Sequence, residues 1–217
     1  MTTVVFGDNT GDDYSGSDGN NIHSSAPNSV QGGALDISRY LAGDHRNGLL
    51  SFSGMSALPS SITVSSAILR AYLSVAGGGN HVFTGWRSLR NWVLSEATWN
   101  QYSSGNNWTT GGAEGSGSDR ASSSSSTSES IPATTGVYYQ LLQDAAQLRS
   151  DVQDIASGAN PNYGWIINRT DSQDDSTYRV FSSTDDADGQ RPYLTVVYTT
   201  GGGGAAAQNY LTLLGVG

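Results

Sequence analysis

Alternating apolar and polar residues divide most of the chain into short segments separated by turn residues. In ITVSSAILRAYLSV (62–75), Ala67, Leu69, Ala71, Leu73 and Val75 recur at a period of two, which is typical of a strand with one buried face. This pattern predicts a single all-β domain over residues 1–200. The other predicted strands are TTVVF (2–6), ALDISRYL (34–41), GLLSFSGM (48–55), HVFTGWRSL (81–89), YGWIINR (163–169), TYRVFSS (177–183) and PYLTVVYTT (192–200).

One segment departs from the strand pattern. In TTGVYYQLLQDAAQLRSDVQDIASG (134–158), apolar residues recur at the three- and four-residue spacing of a helix. Thr134 or Thr135 can cap its start, and Gly158 occupies the position of a C-terminal cap. We therefore expect one amphipathic helix, about residues 136–157, which covers an end or a face of the sheets.

Residues 103–130 are dominated by serine, glycine, threonine and asparagine, with five consecutive serines at 122–126. Because strand patterns resume after this segment, it is expected to be a long surface loop and not a boundary between domains.

Composition and charge exclude several classes of partner. The net charge of −9 argues against nucleic acid, because phosphate binding needs a basic patch. The chain has no cysteine, so disulfides and thiolate chemistry are not expected. The N-terminal residues lack the basic and apolar regions of a signal peptide, and no stretch approaches the ~20 apolar residues of a membrane helix. We expect a protein made in the cytoplasm, with no membrane partner.

Four motifs occur in a fixed order along residues 1–200. GLLSFSGMSALPSSITVSSAILRAYLSV (48–75) is similar to a core of the form L-x-F, L-P, I-x-x-A-x-L-x-x-Y, and NWVLSEATWN (91–100) with Trp108 to a W-x-E-x-x-x-T-W-N signature followed by W. SGANPNYGWII (157–167) and FSSTDDADGQRPYLTVVY (181–198) complete the set. Together they resemble the DNRLRE-domain family of disaggregatase-related β-sandwich modules, some of which are classed as carbohydrate-binding.

The resemblance implies a two-sheet antiparallel β-sandwich of the jelly-roll type. It also implies a structural role for the signature residues: large rings pack between sheets while polar groups bond loop backbone. Arg191 is expected to pair with a carboxylate of the turn that precedes it and to fix the entry into the last strand. The structural set is Trp92, Glu96, Thr98, Trp99, Asn100, Trp108, Arg191 and Pro192.

Catalytic motifs are missing from the sequence. The three histidines, His23, His45 and His81, are scattered, and there is no G-x-S-x-G elbow, H-E-x-x-H motif or phosphate-binding loop. We therefore expect a non-enzymatic protein without a resident cofactor.

Two weaker binding signals remain. Calcium prefers several oxygen ligands from flexible loops, and the late loops are rich in aspartate, although a solvated acidic loop explains the same pattern. Glycan binding needs exposed aromatic rings beside polar groups, for which Trp86, Tyr102 and Tyr163 are candidates. The candidate calcium ligands are Asp171, Asp174, Asp175, Asp185, Asp186 and Asp188.

The tail GGGGAAAQNYLTLLGVG (201–217) follows the last predicted strand and has no counterpart in the family pattern. It combines a glycine tether with an apolar tip, which suits an arm that docks on a neighbouring subunit, although a frayed end is the alternative. The residues of this candidate arm are Tyr210, Leu211, Leu213, Leu214 and Val216.

Two functions from different classes fit these observations. The first is a non-enzymatic structural component of a bacteriophage particle, namely a capsid cement or decoration protein anchored through its termini. Its location would be the virion, and its partners other virion proteins such as a major capsid protein, and copies of itself. The alternative is a carbohydrate-binding module or an adhesin-like glycan-binding domain, whose partners are glycans.

Overall fold

The computed structural model describes residues 1–32, 34–40, 43–171 and 178–200 of the chain. These residues form antiparallel strands, one α-helix, α1 (Ala146–Ser157), and two 3₁₀ turns at Ser53–Ala57 and Gly111–Ala113. The strands are β1 (Thr2–Phe6), β2 (Ser17–His23), β3 (Leu35–Arg39), β4 (His45–Phe52), β5 (Ile62–Ala76), β6 (Phe83–Arg87), β7 (Gln101–Ser103), β8 (Asn106–Asn107), β9 (Ser126–Thr127), β10 (Val137–Leu142), β11 (Trp165–Arg169), β12 (Tyr178–Phe181) and β13 (Tyr193–Thr200).

A large curled antiparallel sheet contains eleven of these strands. Its hydrogen-bonded order is β1-β13-β5-β12-β3-β4-β11-β6-β9, with β10 paired to β5 and β2 paired to β4. Strand β5 is fifteen residues long. Its first part pairs with β13 and its last part with β12, so it connects the β1-β13 end of this order to the strands from β12 onward. The predicted β class with one helix is thus confirmed, and β7 and β8 form a separate two-stranded sheet.

The main apolar core lies on the inner face of the curled sheet. In β5, the alternate residues Ala67, Leu69, Ala71 and Leu73 are fully buried in it, as the period of two predicts. Val75 was expected on the same face but is 46% exposed. The pairing with β12 shifts register between Val180 and Phe181, and such an irregularity turns the following residue to the other side.

A second, smaller apolar cluster lies on the opposite face of β2, β4 and β11. Leu50 and Ile167 belong to the main core, so the neighbouring residues Leu49 and Ile166 face the other way. Chain segment 89–121 covers them. The members of this second cluster are Ile22, Leu49, Trp92, Ala97, Trp108, Ala113 and Ile166, with Trp99 and Tyr102 packed against it.

The expected helix at 136–157 is wrong in its first half. Residues 137–142 form β10, which pairs with β5, and the helix begins only at Ala146. Val137, Tyr138 and Tyr139 are β-branched or aromatic, and pairing satisfies an edge of β5 that would otherwise be open. A bulge between Gln140 and Leu142 disturbs the alternation and mimics helical spacing.

Only the C-terminal end of α1 matches the cap that the sequence predicts. Gly158 adopts the left-handed conformation (φ 77°) and its N–H donates to the carbonyl of Ile155, as predicted for a C-terminal cap. At the start, Ala145 is the capping residue and makes no side-chain cap, so neither Thr134 nor Thr135 has that role.

The serine-rich segment 103–130 is not a surface loop throughout. It contains β8, β9 and a 3₁₀ turn, and Ser125, Ser126 and Ser128 are buried. Small hydroxyl side chains can be buried here because each finds a partner; the Ser128 hydroxyl, for example, accepts a hydrogen bond from the Phe83 N–H at 2.9 Å.

Candidate binding surfaces

The first and last described strands lie side by side at one edge of the sheet. Strand β1 pairs with β13 in antiparallel register, with Thr2 opposite Tyr198. The outer edge of β1 is partly blocked, because the Asp13 carboxylate accepts the Val5 N–H at 2.8 Å and the Val5 carbonyl accepts the N–H of Tyr14. The N-terminus and the end of β13 therefore leave the domain from the same corner.

The outer face of β5, β10 and β13 carries three half-buried tyrosines, which we call the tyrosine face: Tyr72, Tyr138 and Tyr193. Their chain neighbours Ala71 and Leu194 are buried in the main core, so the tyrosines point outward. The Tyr138 ring lies 5.3 Å from that of Tyr72 and 5.0 Å from that of Tyr193, with edge-to-face geometry in both pairs. The three rings form one aromatic cluster outside both apolar clusters.

Charged and polar groups border this aromatic cluster. The Arg70 guanidinium lies over the Tyr193 ring, 5.9 Å from its centroid. The Tyr138 hydroxyl donates to the Arg191 carbonyl at 2.9 Å. Burial raises the pKa of Tyr138 to about 12, and the nearby Tyr193 and Asp12 add to the shift. The hydrogen bond to the Arg191 carbonyl holds the Tyr138 hydroxyl in place.

A polar rim, formed by Asn9, Asp12, Asp188 and Arg191, joins two acidic loops that are far apart in sequence. The Asn9 side-chain amide donates to the Arg191 carbonyl at 3.1 Å, and its oxygen accepts the Arg191 N–H at 3.1 Å. The Asp188 carboxylate accepts the Thr10 N–H at 2.5 Å. The tertiary structure therefore brings these loops together beside the tyrosine face.

Gly7 allows the close approach of this rim to the sheet. A Cβ atom at this position would lie 2.3 Å from the Asp12 carboxylate and 3.0 Å from the Cβ of Tyr193. Only glycine leaves room for both groups.

Arg191 binds backbone carbonyls in this structure. Its Nε donates to the Asp186 carbonyl at 2.7 Å, and its Nη1 donates to the Asp8 carbonyl. We expected Arg191 to pair with a carboxylate of the preceding turn, and these contacts differ from that expectation. The guanidinium instead donates to carbonyls of two loops, one at Asp8 and one at Asp186, next to the start of β13. Pro192 is buried at the start of this strand.

The candidate calcium ligands lie in different surroundings. Asp171 contacts His81 Nδ1 at 2.6 Å and Arg169 Nε at 2.5 Å. Asp185 is exposed, and the Asp186 carboxylate accepts the Ser183 N–H at 2.7 Å. Asp174 and Asp175 lie outside the described residues. Among the residues that the structure describes, no group of three or more acidic or histidine side chains is placed to hold a metal ion.

The tryptophan layer, our name for segment 89–121, contains the signature residues that the sequence grouped together. Trp92 and Trp108 are buried; the Trp92 indole N–H donates to the Tyr163 carbonyl at 2.8 Å and that of Trp108 to the Thr98 carbonyl at 2.9 Å. Trp99 is half-buried against Gly111 and Gly112. The rings cover one face of the sheet from outside.

Polar signature residues bond the loop itself. The Glu96 carboxylate accepts the Ser104 N–H at 2.8 Å, and the Thr98 hydroxyl accepts the Gln101 N–H at 3.1 Å. The Asn100 side chain donates to Asn28 at 2.8 Å.

Asp119 organises the same layer, although the sequence analysis did not single it out. It is fully buried, and its carboxylate accepts the N–H groups of Thr109, Thr110 and Gly115 at 2.8–3.1 Å. Arg90 lies 3.6 Å away. One carboxylate thus replaces the hydrogen bonds that a regular strand would provide.

The three sequence-based glycan candidates are all half-buried. Trp86 lies under the Arg120 guanidinium, 3.9 Å from its ring centroid, and Tyr102 packs on Trp108 with ring centroids 5.4 Å apart. The Tyr163 carbonyl accepts the Trp92 indole N–H. Among the described ring pairs, none joins two of these three residues.

A cavity of about 370 Å³ lies at the start of α1. Several of its polar groups are bonded to neighbours: Asp144 accepts the Ala67 N–H at 3.1 Å and pairs with Arg149 at 2.9 Å. Ser125 donates to the buried Asp151, and burial raises the pKa of Asp151 despite this hydrogen bond. Because these groups are already engaged, the cavity fits a structural role. Its lining residues are Ser124, Ser125, Ser126, Thr127, Gln143, Asp144, Ala145 and Gln147.

Sequence reasoning missed the tyrosine face, although a signal for it exists. Tyr72 and Tyr193 occupy outward positions of two strands that the sequence pattern predicts. Tyr138 was hidden, because its strand was read as the first part of a helix.

The residues of the candidate arm, Tyr210, Leu211, Leu213, Leu214 and Val216, lie outside the described residues. In the part of the chain that the structure describes, no helix is long and apolar enough to cross a membrane. No protein-family model matches the chain, and no curated protein sequence matches it. The family resemblance therefore stays a prediction from the sequence motifs.

Proposed function

We propose that the chain is a non-enzymatic structural component of a bacteriophage particle, a capsid cement or decoration protein attached at one corner of its domain. The pairing of β1 with β13 carries this proposal, because the first residues of β1 and the last residues of β13 lie at the same corner. A domain held at one corner can project the rest of its surface away from the shell. We further propose that the curled sheet is a jelly-roll sandwich of the DNRLRE type.

The proposed contact is made by the apolar arm, docked on a major capsid protein or on another copy of this chain. Burying its five apolar side chains would yield roughly 7–15 kcal/mol, whereas ordering about ten residues costs on the order of 10–15 kcal/mol. The net free energy of docking for the arm alone is therefore close to zero. On a particle, the high effective concentration of neighbouring subunits favours docking.

The test compares the full chain with a chain ending at Thr200, by light scattering and by co-sedimentation with particles purified from the source lysate. We expect only the full chain to assemble or to sediment with particles. A double variant, Leu211→Ser with Leu214→Ser, keeps the length of the arm and should behave like the truncated chain. Equal behaviour of all three proteins would contradict the attachment proposal.

A second candidate function is glycan binding, favoured by a different observation. The tyrosine face presents an aromatic cluster on an outer sheet surface beside amide, carboxylate and guanidinium groups. Retention of the full chain on immobilised polysaccharides would support this function. The two functions are compatible, because a particle protein can also contact glycans.

A further inference from the structure

We infer that the tyrosine face binds a neutral polysaccharide, with Tyr72 and Tyr193 as the stacking rings and the polar rim as the hydrogen-bonding side. This inference rests on the second proposed function, glycan binding, and is independent of the attachment proposal. It replaces the three sequence-based candidates Trp86, Tyr102 and Tyr163 by a surface on another part of the sheet.

The first argument is the position of the rings. Buried tyrosines serve packing, but Tyr72, Tyr138 and Tyr193 belong to neither apolar cluster and stay half-buried on the outer face. Rings with an accessible apolar surface and a fixed orientation bind ligands at a low entropic cost. The hydroxyl of Tyr138 donates a hydrogen bond to the Arg191 carbonyl, which fixes the orientation of this ring between the other two.

The second argument is the chemistry of the border. A sugar ring presents C–H groups on one face and hydroxyl groups around its edge, so it needs an apolar platform beside donors and acceptors. Arg70 supplies donors above Tyr193, and Asn9 and Asp12 supply an amide and a carboxylate close to Tyr138. A purely apolar partner would cover the charged Arg70 guanidinium without offering it a hydrogen bond.

The third argument is charge. The border of the tyrosine face carries two carboxylates, Asp12 and Asp188, and two guanidinium groups, Arg70 and Arg191, so its own charges balance and it forms no basic patch. The chain as a whole has a net charge of −9, so its field repels an acidic polysaccharide and does not repel a neutral one. The ligand class is therefore a neutral polysaccharide.

The experiment is affinity electrophoresis of the full chain in native gels that contain xyloglucan, galactomannan or dextran, with alginate as the acidic comparison. We expect at least one neutral polysaccharide, and not alginate, to retard the protein. Tyr72→Ala and Tyr193→Ala should each weaken binding about tenfold, a loss typical of removing an aromatic anchor. Tyr72→Phe, which keeps the ring, should bind within about twofold of the unmodified chain.

Tyr102→Ala is the matched control, because Tyr102 is also half-buried, packs on an aromatic ring and has an arginine above it, but lies in the tryptophan layer. It should bind normally. If Tyr193→Ala fails to fold, Tyr72→Ala and Arg70→Gln carry the test, and thermal unfolding identifies a misfolded variant.

Each contrary result has a separate meaning. Loss of binding in Tyr102→Ala, with retention in Tyr72→Ala and Tyr193→Ala, would overturn this site and leave glycan binding standing. Retardation by alginate alone would overturn the neutral ligand class. No retardation of the full chain by any polysaccharide would overturn both the site and the second proposed function.

Discussion

The tryptophan layer and the tyrosine face are two aromatic regions outside the main core, and they differ in what covers them. Over β2, β4 and β11, segment 89–121 folds back on the sheet and buries Trp92 and Trp108. Over β5, β10 and β13, the described chain has no such covering segment, and the three tyrosines stay half-buried.

This difference shows that residue type alone does not decide whether an aromatic residue is covered by other parts of the chain. The covering segment is rich in glycine, serine and asparagine, which a simple hydrophobic pattern reads as a surface loop. It can cover a sheet face because Asp119 and the Trp108 indole provide hydrogen bonds to its backbone. Within the described residues no segment covers the tyrosine face in this way, and its rings stay half-buried.

The largest expected effect contrasts one ring from each region. Trp108→Ala should lower the free energy of unfolding by about 4 kcal/mol, because it removes a buried ring and leaves a cavity. Tyr72→Ala should cost about 1 kcal/mol or less, the range of a cross-strand pair on an open face. Urea unfolding followed by circular dichroism measures both; similar losses would mean that the two regions are equally important for stability.

Removal of Asp119 tests what holds the covering segment. Asp119→Ala should cost about 3 kcal/mol, because three buried N–H groups lose their acceptor. Asp188→Ala is the comparison on the side of the tyrosine face: Asp188 also accepts a backbone N–H but is exposed, so water can replace it. If Asp188→Ala shifts the unfolding midpoint as much as Asp119→Ala does, burial of the carboxylate does not explain the stability that Asp119 contributes.

Gly112→Ala should cost about 2 kcal/mol, because its φ of +77° disfavours a side chain and its Cβ would lie 2.5–2.8 Å from the Trp99 ring. Gly117→Ala is a close control: its φ is +74°, but no atom lies within 4 Å of its Cβ. The difference in thermal unfolding between the two variants isolates the ring contact. Equal shifts would show that Trp99 moves freely and does not constrain the layer.

The smallest effect concerns Tyr138 and is best seen at alkaline pH. The pKa of Tyr138 is raised to about 12, so the unfolded chain loses this proton more easily than the folded protein. Its contribution to stability is complete below about pH 10 and is lost as the pH rises through 12. Tyr138→Phe should change stability by about 1 kcal/mol at neutral pH and lose less stability than the unmodified chain between pH 10 and 12.

Absorbance at 295 nm gives an independent measurement of the same group. Tyr138→Phe should remove one phenolate component that titrates near pH 12 and leave the other components unchanged. Removal of a component near pH 10 instead would show that the Tyr138 hydroxyl is not held by its neighbours.

Several elements of the fold could be read from the sequence because their signals are local. The period of two in β5 predicted which face of this strand is buried, and Gly158 predicted the end of α1. The serine-rich segment was misjudged, because its burial depends on Asp119 and Asp151, partners that no local pattern identifies. Residues 137–142 were assigned to the helix since their pairing with β5 is non-local and their bulge imitates helical spacing.

The β class, the helix with its C-terminal cap, and the excess of acidic groups are predictable from the sequence alone. These properties depend on side-chain chemistry and on neighbours within a few residues. The covering of particular aromatic rings, the meeting of the loops around Asn9 and Asp188, and the pairing of β1 with β13 follow from the tertiary structure. Those features arise from contacts between residues far apart in the sequence, such as Thr2 and Tyr198, for which local periodicity carries no information.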